Sequence, residues 1–255
     1  MPRHISIVIP VFNEAENLPE LIERLSGTME QWCAERTGSR YEILICDDHS
    51  TDASFALART LTRDVPNLRA LQNSKRSGQT GGFRTGFQEA RGDTIVTMDG
   101  DLQVLPEDVP RLLSPLENDR LLLTNAVRAG RQHSVAIKAI SSLGNSLLRL
   151  TVPCPVADAA SNFTAFPAAL ARDLPLVEND HRYLIPILIR RGLPPQRIGD
   201  VEVRHEARKR GVSKYSATRK LLTGVPELLR FRQRWQSGYY DLVTSPSDAI
   251  SSRAL

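Results

Sequence analysis

Two carboxylates one residue apart, Asp99 and Asp101, close the run Val96-Thr97-Met98-Asp99-Gly100-Asp101-Leu102-Gln103. The β-branched apolar stretch before them reads as a strand, so both acids stand at its C-terminal end, where they can meet one hard cation. Gly100 lets the backbone turn tightly and lets a bulky ligand come close. A divalent ion held by so few protein oxygens usually completes its shell with phosphate oxygens. The chemistry on offer is a metal–diphosphate site. The alternative is a polar turn after a strand, since Asp and Gly are ordinary turn residues.

Whether such a site exists depends on the elements around it. Residues 5–10 read as a buried strand followed by Phe12-Asn13-Glu14. Residues 17–29 have helical spacing, with Leu18, Leu21, Ile22 and Leu25 on one face. A second strand over 41–46 ends in Asp47-Asp48-His49-Ser50-Thr51-Asp52, and a helix over 53–62 follows, capped by Ser50, Thr51 or Asp52. A short strand over 68–72, a glycine-rich turn opening a helix over 78–90 and the strand over 94–98 complete a β-α-β-α-β-α-β order. That order predicts a mostly parallel sheet with helices on both faces. Ligands of such sheets lie beyond the strands' C-terminal ends. The polar clusters at 12–14, 47–52 and 99–103 all fall there and should share one cleft.

Each cluster has more than one reading. Asp47 and Asp48 can accept hydrogen bonds from a ribose or base, or only cap a turn. Glu14 can touch a ligand, or face the macrodipole as a first-turn helix acid. Ser77-Gly78-Gln79-Thr80-Gly81-Gly82 can cradle phosphate or serve as a close-packing turn. It lacks the Lys-Ser/Thr ending of a P-loop and is not G-x-G-x-x-G after a first strand. Turn statistics do not account for three acidic strand ends in one sheet.

Composition sets the frame. With 255 residues and 41% hydrophobic content the chain can build one large domain or one with an appendage. The net charge of +4 is unevenly spread: acids crowd residues 1–126, whereas 128–149 and 204–234 are rich in Arg and Lys. An acidic metal site beside a basic face suits a polyanionic ligand or an anionic membrane surface. No nucleic-acid partner is expected, because the basic stretches lack regular aromatic interleaving. Cys33, Cys46 and Cys154 show no metal-ligand spacing, Cys46 reads as a small buried hydrophobe, and the odd, sparse count points to a reducing compartment. Met1-Pro2-Arg3-His4 leads straight into a strand and not a signal peptide. No window approaches the roughly 18 apolar residues of a membrane span.

Taken together and in order, several segments resemble family 2 glycosyltransferases of the polyprenyl-phosphate type. They are Ser6 through Glu14, Asp47 through Asp52, Gly78-Gln79-Thr80, Ala90-Arg91-Gly92-Asp93 and Met98 through Gln103. Further along come Val127 through Gln132, His181 through Pro186 and Arg208-Lys209-Arg210-Gly211-Val212-Ser213-Lys214-Tyr215. The resemblance covers about residues 4 to 230 of this sequence. The group includes dolichyl-phosphate mannose synthase and bacterial undecaprenyl-phosphate sugar transferases. The Arg-Gln and Ser-Lys-Tyr versions here are most similar to the undecaprenyl-phosphate 4-deoxy-4-formamido-L-arabinose transferases.

The resemblance implies a GT-A fold, α/β and Rossmann-like, over 1–235, with a nucleotide-binding half (1–103), an acceptor-binding half (104–235) and a flexible tail (236–255). It implies an inverting, metal-dependent transfer of a sugar from a GDP- or UDP-sugar to a polyprenyl phosphate. Pro10, Phe12, Glu14 and Asp48 would hold the nucleoside, with Gln79 and Gly100 also at the donor. Asp99, Asp101 and Gln103 would bind Mg²⁺ or Mn²⁺ and, through it, the diphosphate. Arg128, Arg208 and Lys214, flanked by Arg131 and Ser213, would grip donor and acceptor phosphates, guanidinium forks suiting phosphate oxygens. Asp101, Arg128 and Arg208 would carry the reaction.

Three features depart from the family pattern. Phe12 stands where Tyr is usual, so stacking survives without a phenolic hydrogen bond. Asn162, in Asp158-Ala159-Ala160-Ser161-Asn162-Phe163, replaces a small residue and is expected to reshape the acceptor pocket. Many bacterial relatives end in transmembrane helices, whereas this sequence ends in a polar stretch, which implies a peripheral place at the cytoplasmic face of a membrane. Basic amphipathic helices over 137–150 and 221–235 can lie on anionic lipid, or instead pack on the sheet or on a second subunit. A homodimer or a separate membrane-anchoring subunit stays open. Rival readings are a same-fold transferase with a soluble glycan or small-molecule acceptor, and a catalytically silent sugar-nucleotide-binding protein. The intact acids and basic residues argue against the silent one.

Overall fold

A computed structural model describes residues 3–118, 120–129, 151–159, 161–206 and 217–241. Arg131, Arg208, Ser213, Lys214 and the expected helix over 137–150 lie outside the described residues. The strands are β1 (His4–Val11), β2 (Arg40–Asp47), β3 (Leu68–Gln72), β4 (Thr94–Thr97), β5 (Leu123–Ala129), β6 (Thr164–Pro167) and β7 (Ile198–Arg204). The helices are α1 (Leu18–Ala34), α2 (Ser54–Leu61), α3 (Gly78–Glu89), α4 (Val109–Glu117), α5 (Leu184–Arg190) and α6 (Ala217–Gln236).

All seven strands form one sheet in the order β3-β2-β1-β4-β6-β5-β7. β1, β2, β3 and β4 run parallel, as does the pair β5 and β7, while β6 is antiparallel to β4 and β5. The expected mostly parallel sheet is present. The chain winds outward from β1 to β3, then returns to lay β4 on the other side of β1, so strand order reverses at the β1–β4 boundary. A crevice opens at such a point beyond the strand ends.

The apolar runs bury both faces of the sheet. Ile5, Ile7 and Ile9 face a layer built with α1 and α4, whereas Val8, Leu44, Cys46 and Ile95 face a layer built with α3 and α5. The stripe Leu18, Leu21, Ile22, Leu25 is buried, and α1 extends it through Met29 and Trp32, with a proline in its first turn. α3 lies so close to β1 that a Cβ at Gly86 would stand 2.1 Å from Val8 Cγ1, and one at Gly82 would stand 2.6 Å from Pro10 Cβ. The glycine-rich segment is therefore a close-packing device.

The C-terminal helix is pinned by a buried carboxylate. Asp180 accepts hydrogen bonds from Arg234 Nη2 (2.7 Å), Tyr240 Oη (2.9 Å) and the Val177 amide (2.9 Å). Phe231 stacks on Tyr183 with ring centroids 4.1 Å apart. Phe231 and Tyr240 are fully buried, and Trp235 and Leu228 pack against the same cluster. Thus the aromatic side of α6 packs on the protein, and its outward surface carries Leu229, Arg230 and Arg232. Packed structure also continues to Tyr240, into the segment expected to be a tail from 236, because the Asp180 carboxylate holds it. Among the described residues no helix is long and apolar enough to cross a membrane.

Candidate active site

The three acidic strand ends meet. Beyond β1 and β2, the Asn13 amide donates to Ser50 Oγ (2.9 Å), the Thr51 amide to Asn13 Oδ1 (2.8 Å) and the Glu14 amide to Ser54 Oγ (2.9 Å). Asn13, His49 and Leu102 adopt left-handed φ values of 57°, 59° and 58°, the first two just past the ends of β1 and β2 and the third in the segment that follows β4. Such backbone costs about 1–3 kcal/mol per residue and concentrates at ligand sites. No helix-capping hydrogen bond comes from Ala53, the residue at the N-cap of α2. Asp52 instead accepts the Ser54 amide (2.9 Å), in the capping role expected of the 50–52 stretch.

Asp48 organises the loop before α3. Its Oδ1 accepts from the Ser77 amide (2.7 Å) and Asn73 Nδ2 (2.9 Å), and its Oδ2 from the Gly78 amide (2.8 Å). These amides are the ones a phosphate cradle would need, so the carboxylate takes the place of that anion. The loop also carries Arg76, whose guanidinium lies 3.9 Å from the centroid of the Phe12 ring. Neither Arg76 nor this cation–π contact was legible beforehand; the only sequence signal is the basic pair Lys75-Arg76. Pro10 is buried, with α3 against it, and so forms floor rather than wall. Glu14 accepts Asn17 Nδ2 at 2.7 Å ahead of α1, whose first-turn acid is Glu20.

Asp99 and Asp101 stand beyond β4. Gln79 Nε2 donates to Asp99 Oδ1 at 2.6 Å, and Asn162 Nδ2 splits between Oδ1 (3.2 Å) and Oδ2 (3.4 Å). Burial, and next the neighbouring Asp101 charge, push the Asp99 carboxyl up to about 6. Gly100 approaches the end of β1, where a Cβ would lie 3.0 Å from Val11 Cγ1. Asp101 Oδ1 accepts the Gln103 amide (3.1 Å), and the Gln103 carbonyl accepts the Glu206 amide (2.8 Å). Val104 also bridges His205, and buried Asp108 receives the Arg204 amide and guanidinium, both at 2.9 Å. The chain therefore leaves for the basic stretch at 208–214 from directly beside the acidic pair.

Arg128 emerges from β5 and meets Asp158 through a two-pronged ion pair. The fork expected to grip phosphate is engaged by a carboxylate, and Nη1 donates to no described residue. Behind α3, Thr80 Oγ1 lies 2.8 Å from His181 Nδ1. Burial first, and the Arg182 charge second, lower that imidazole to about 3, so it is neutral. It locks the helix turn that carries Gln79. Among the described residues no group of three His, Cys, Asp or Glu side chains could hold a metal. The donor set that does fit a hard cation is the Asp99–Asp101 pair: two neighbouring carboxylates, of which Asp99 is half-buried and accepts hydrogen bonds from the neutral amides of Gln79 and Asn162.

A model of the family described as glycosyl transferase family 2 matches residues 6–173. The chain belongs to that family. Dodecaprenyl-phosphate galacturonate synthase of Rhizobium johnstonii is 32% identical over 237 residues, spanning 90% of this chain and 68% of that protein. Undecaprenyl-phosphate 4-deoxy-4-formamido-L-arabinose transferase of Salmonella paratyphi A is 32% identical over 218 residues, spanning 85% of this chain and 64% of that protein. The chain thus spans about two thirds of the length of these relatives. Among solved structures, mannosyl-3-phosphoglycerate synthase from Rubrobacter xylanophilus aligns with a TM-score of 0.69 at 16% identity, covering 96% of this chain and 78% of that one. Glucosyl-3-phosphoglycerate synthase from Mycobacterium tuberculosis, in complex with Mn²⁺ and UDP-glucose, aligns with a TM-score of 0.67 at 20% identity, covering 90% and 79%. These likenesses establish the GT-A architecture of this family 2 glycosyltransferase chain.

Proposed function

We propose that this glycosyltransferase moves a sugar from a GDP- or UDP-sugar to a polyprenyl phosphate, with inversion. The observation that carries the reading is Asp99: a half-buried carboxylate, held by two amides and beside Asp101, at the strand-order reversal of a family 2 chain. The two relatives at 32% identity are named for polyprenyl-phosphate products or acceptors, which supports the acceptor class.

Asp99 and Asp101, with Gln103, would hold Mg²⁺ or Mn²⁺ together with the donor diphosphate. When bound there, a divalent cation supplies charge that stabilises the departing nucleoside diphosphate. Phe12 and Arg76 line the nucleoside end, and Asp48 keeps the Arg76 loop in place. Arg128 offers Nη1 toward phosphate while Asp158 fixes its plane. Arg131, Arg208, Ser213 and Lys214 add the remaining basic and hydroxyl contacts to the acceptor. An acceptor phosphate oxygen attacks the anomeric carbon as the bond to the diphosphate breaks on the opposite face. That oxygen is already anionic near neutral pH, so Asp101 need not act as a strong base. Residues 1–103 serve the donor and 104–235 the acceptor, on one continuous sheet.

The test is transfer of labelled sugar from a panel of nucleotide sugars, with Mn²⁺ or Mg²⁺, to polyprenyl phosphate in vesicles. The same lipid without its phosphate, and soluble sugars, are the comparisons. Label in the lipid phosphate alone is expected, and Asp101→Ala should abolish it. Transfer to a soluble acceptor with none to lipid phosphate would overturn the acceptor assignment.

A further inference from the structure

The Asn162 side-chain amide, just ahead of β6, reaches the half-buried carboxylate of Asp99 beyond β4. We infer that Asn162 is a positioning residue for the divalent cation: with Gln79 it fixes the plane of the Asp99 carboxylate before any ligand arrives. The inference rests on the metal–diphosphate reading above.

The geometry is built rather than incidental. Gln79 secures Oδ1 alone, at 2.6 Å, so a single hydrogen bond is its whole hold on the carboxylate plane. Asn162 touches both oxygens, at 3.2 and 3.4 Å, and so restrains rotation of that plane. Asn162 is itself anchored through its described neighbours. The Ser161 amide donates to the Asp158 carbonyl (3.1 Å), buried Phe163 accepts the Ala126 amide (2.9 Å), and Thr164 begins β6. At its other end the same loop holds Arg128 through Asp158. Asp158 and Asn162, four positions apart, therefore hold the arginine and the carboxylate that the proposed function assigns to phosphate and to the cation. Partners that orient a metal-binding side chain typically change metal affinity 10–100-fold when removed.

Mn²⁺ dissociation constants, read by water-proton relaxation with saturating UDP or GDP, test this without any turnover. Wild type, Asn162→Ala, Asn162→Ser and Asp101→Ala are compared, with melting temperatures taken in EDTA. Asn162→Ala should weaken Mn²⁺ about tenfold or more. Asn162→Ser, which keeps one shorter donor, should fall between it and wild type. If the Ala variant melts early, the Ser variant decides by the same measure. Unchanged Mn²⁺ affinity in both Asn162 variants, with binding lost in Asp101→Ala, would overturn the positioning role and leave the metal reading standing. Absence of Mn²⁺ binding by the wild type with either nucleotide would overturn both.

Discussion

Arg128 Nε donates to Asp158 Oδ2 at 2.7 Å, and Arg128 Nη2 to Asp158 Oδ1 at 2.9 Å. Both groups are nearly buried, with side chains 12% and 13% exposed, so the pair is geometrically defined and poorly screened by salt. A lysine at 128 would keep the charge and lose the planar fork. Arg128→Lys should lower kcat/KM by about tenfold or more, equivalent to about 1.4 kcal/mol or more of transition-state stabilisation. Asp158→Asn should do the same while preserving shape. Steady-state kinetics decide, and full activity in both variants would remove the ion pair from the mechanism.

Two glycines make opposite predictions. A methyl group at Gly86 would overlap Val8 Cγ1 where α3 crosses β1, whereas nothing lies within 4 Å of a Cβ at Gly27 in α1. Gly86→Ala should destabilise by about 1–3 kcal/mol, the usual penalty for forcing extra volume into a packed core. Gly27→Ala should stabilise by about 0.5–1 kcal/mol through helix propensity. Urea midpoints at unchanged m values measure both.

His181 predicts an acid-side loss of stability. Its folded pKa, about 3, lies below the ordinary 6.5, so the unfolded chain takes up a proton that the folded chain refuses. Its contribution is complete above 6.5 and declines as pH falls toward 3. The upper part of that window, above the ordinary carboxylate range, isolates the imidazole. The stability gap between wild type and His181→Asn should therefore narrow between pH 7.5 and pH 5. Urea unfolding across that range checks it, and a gap independent of pH would contradict a His181 held neutral by the fold. His4 is also held below its usual range, by burial first, and affects both proteins alike.

On α6, Leu229 is 58% exposed and Arg230 and Arg232 also face outward, while Phe231 between them is fully buried. Basic residues near an anionic membrane contribute about 1 kcal/mol each, and salt screens them. Arg230→Glu with Arg232→Glu should cut sedimentation with anionic vesicles at low salt without lowering the melting temperature. Phe231→Ala should lower the melting temperature, since emptying an aromatic core site costs about 3–5 kcal/mol. Vesicle binding that survives the double charge reversal would place the lipid contact elsewhere.

Much of this protein was decided locally. Alternating apolar strands and the Leu18, Leu21, Ile22, Leu25 stripe specify β1 through β4 and their helices, because hydrophobic period depends only on near neighbours in the chain. The Asp99-Gly100-Asp101 turn follows from a strand that stops, and the meeting of the three acidic ends follows from parallel β-α units. What tertiary structure decided is how those groups are used. β6 runs antiparallel between β4 and β5 although it lies about seventy residues beyond β4, a placement set by long-range pairing that no local pattern encodes. That placement carries Asn162 to Asp99, 63 residues away in sequence, and Asp158 to Arg128. Asp48, open in sequence to a ribose or base contact or to a turn, is tied by the fold to the 73–78 loop. A polar side chain's residue type shows what it can bond, but its partner is whichever complementary group the folded sheet brings within hydrogen-bond reach.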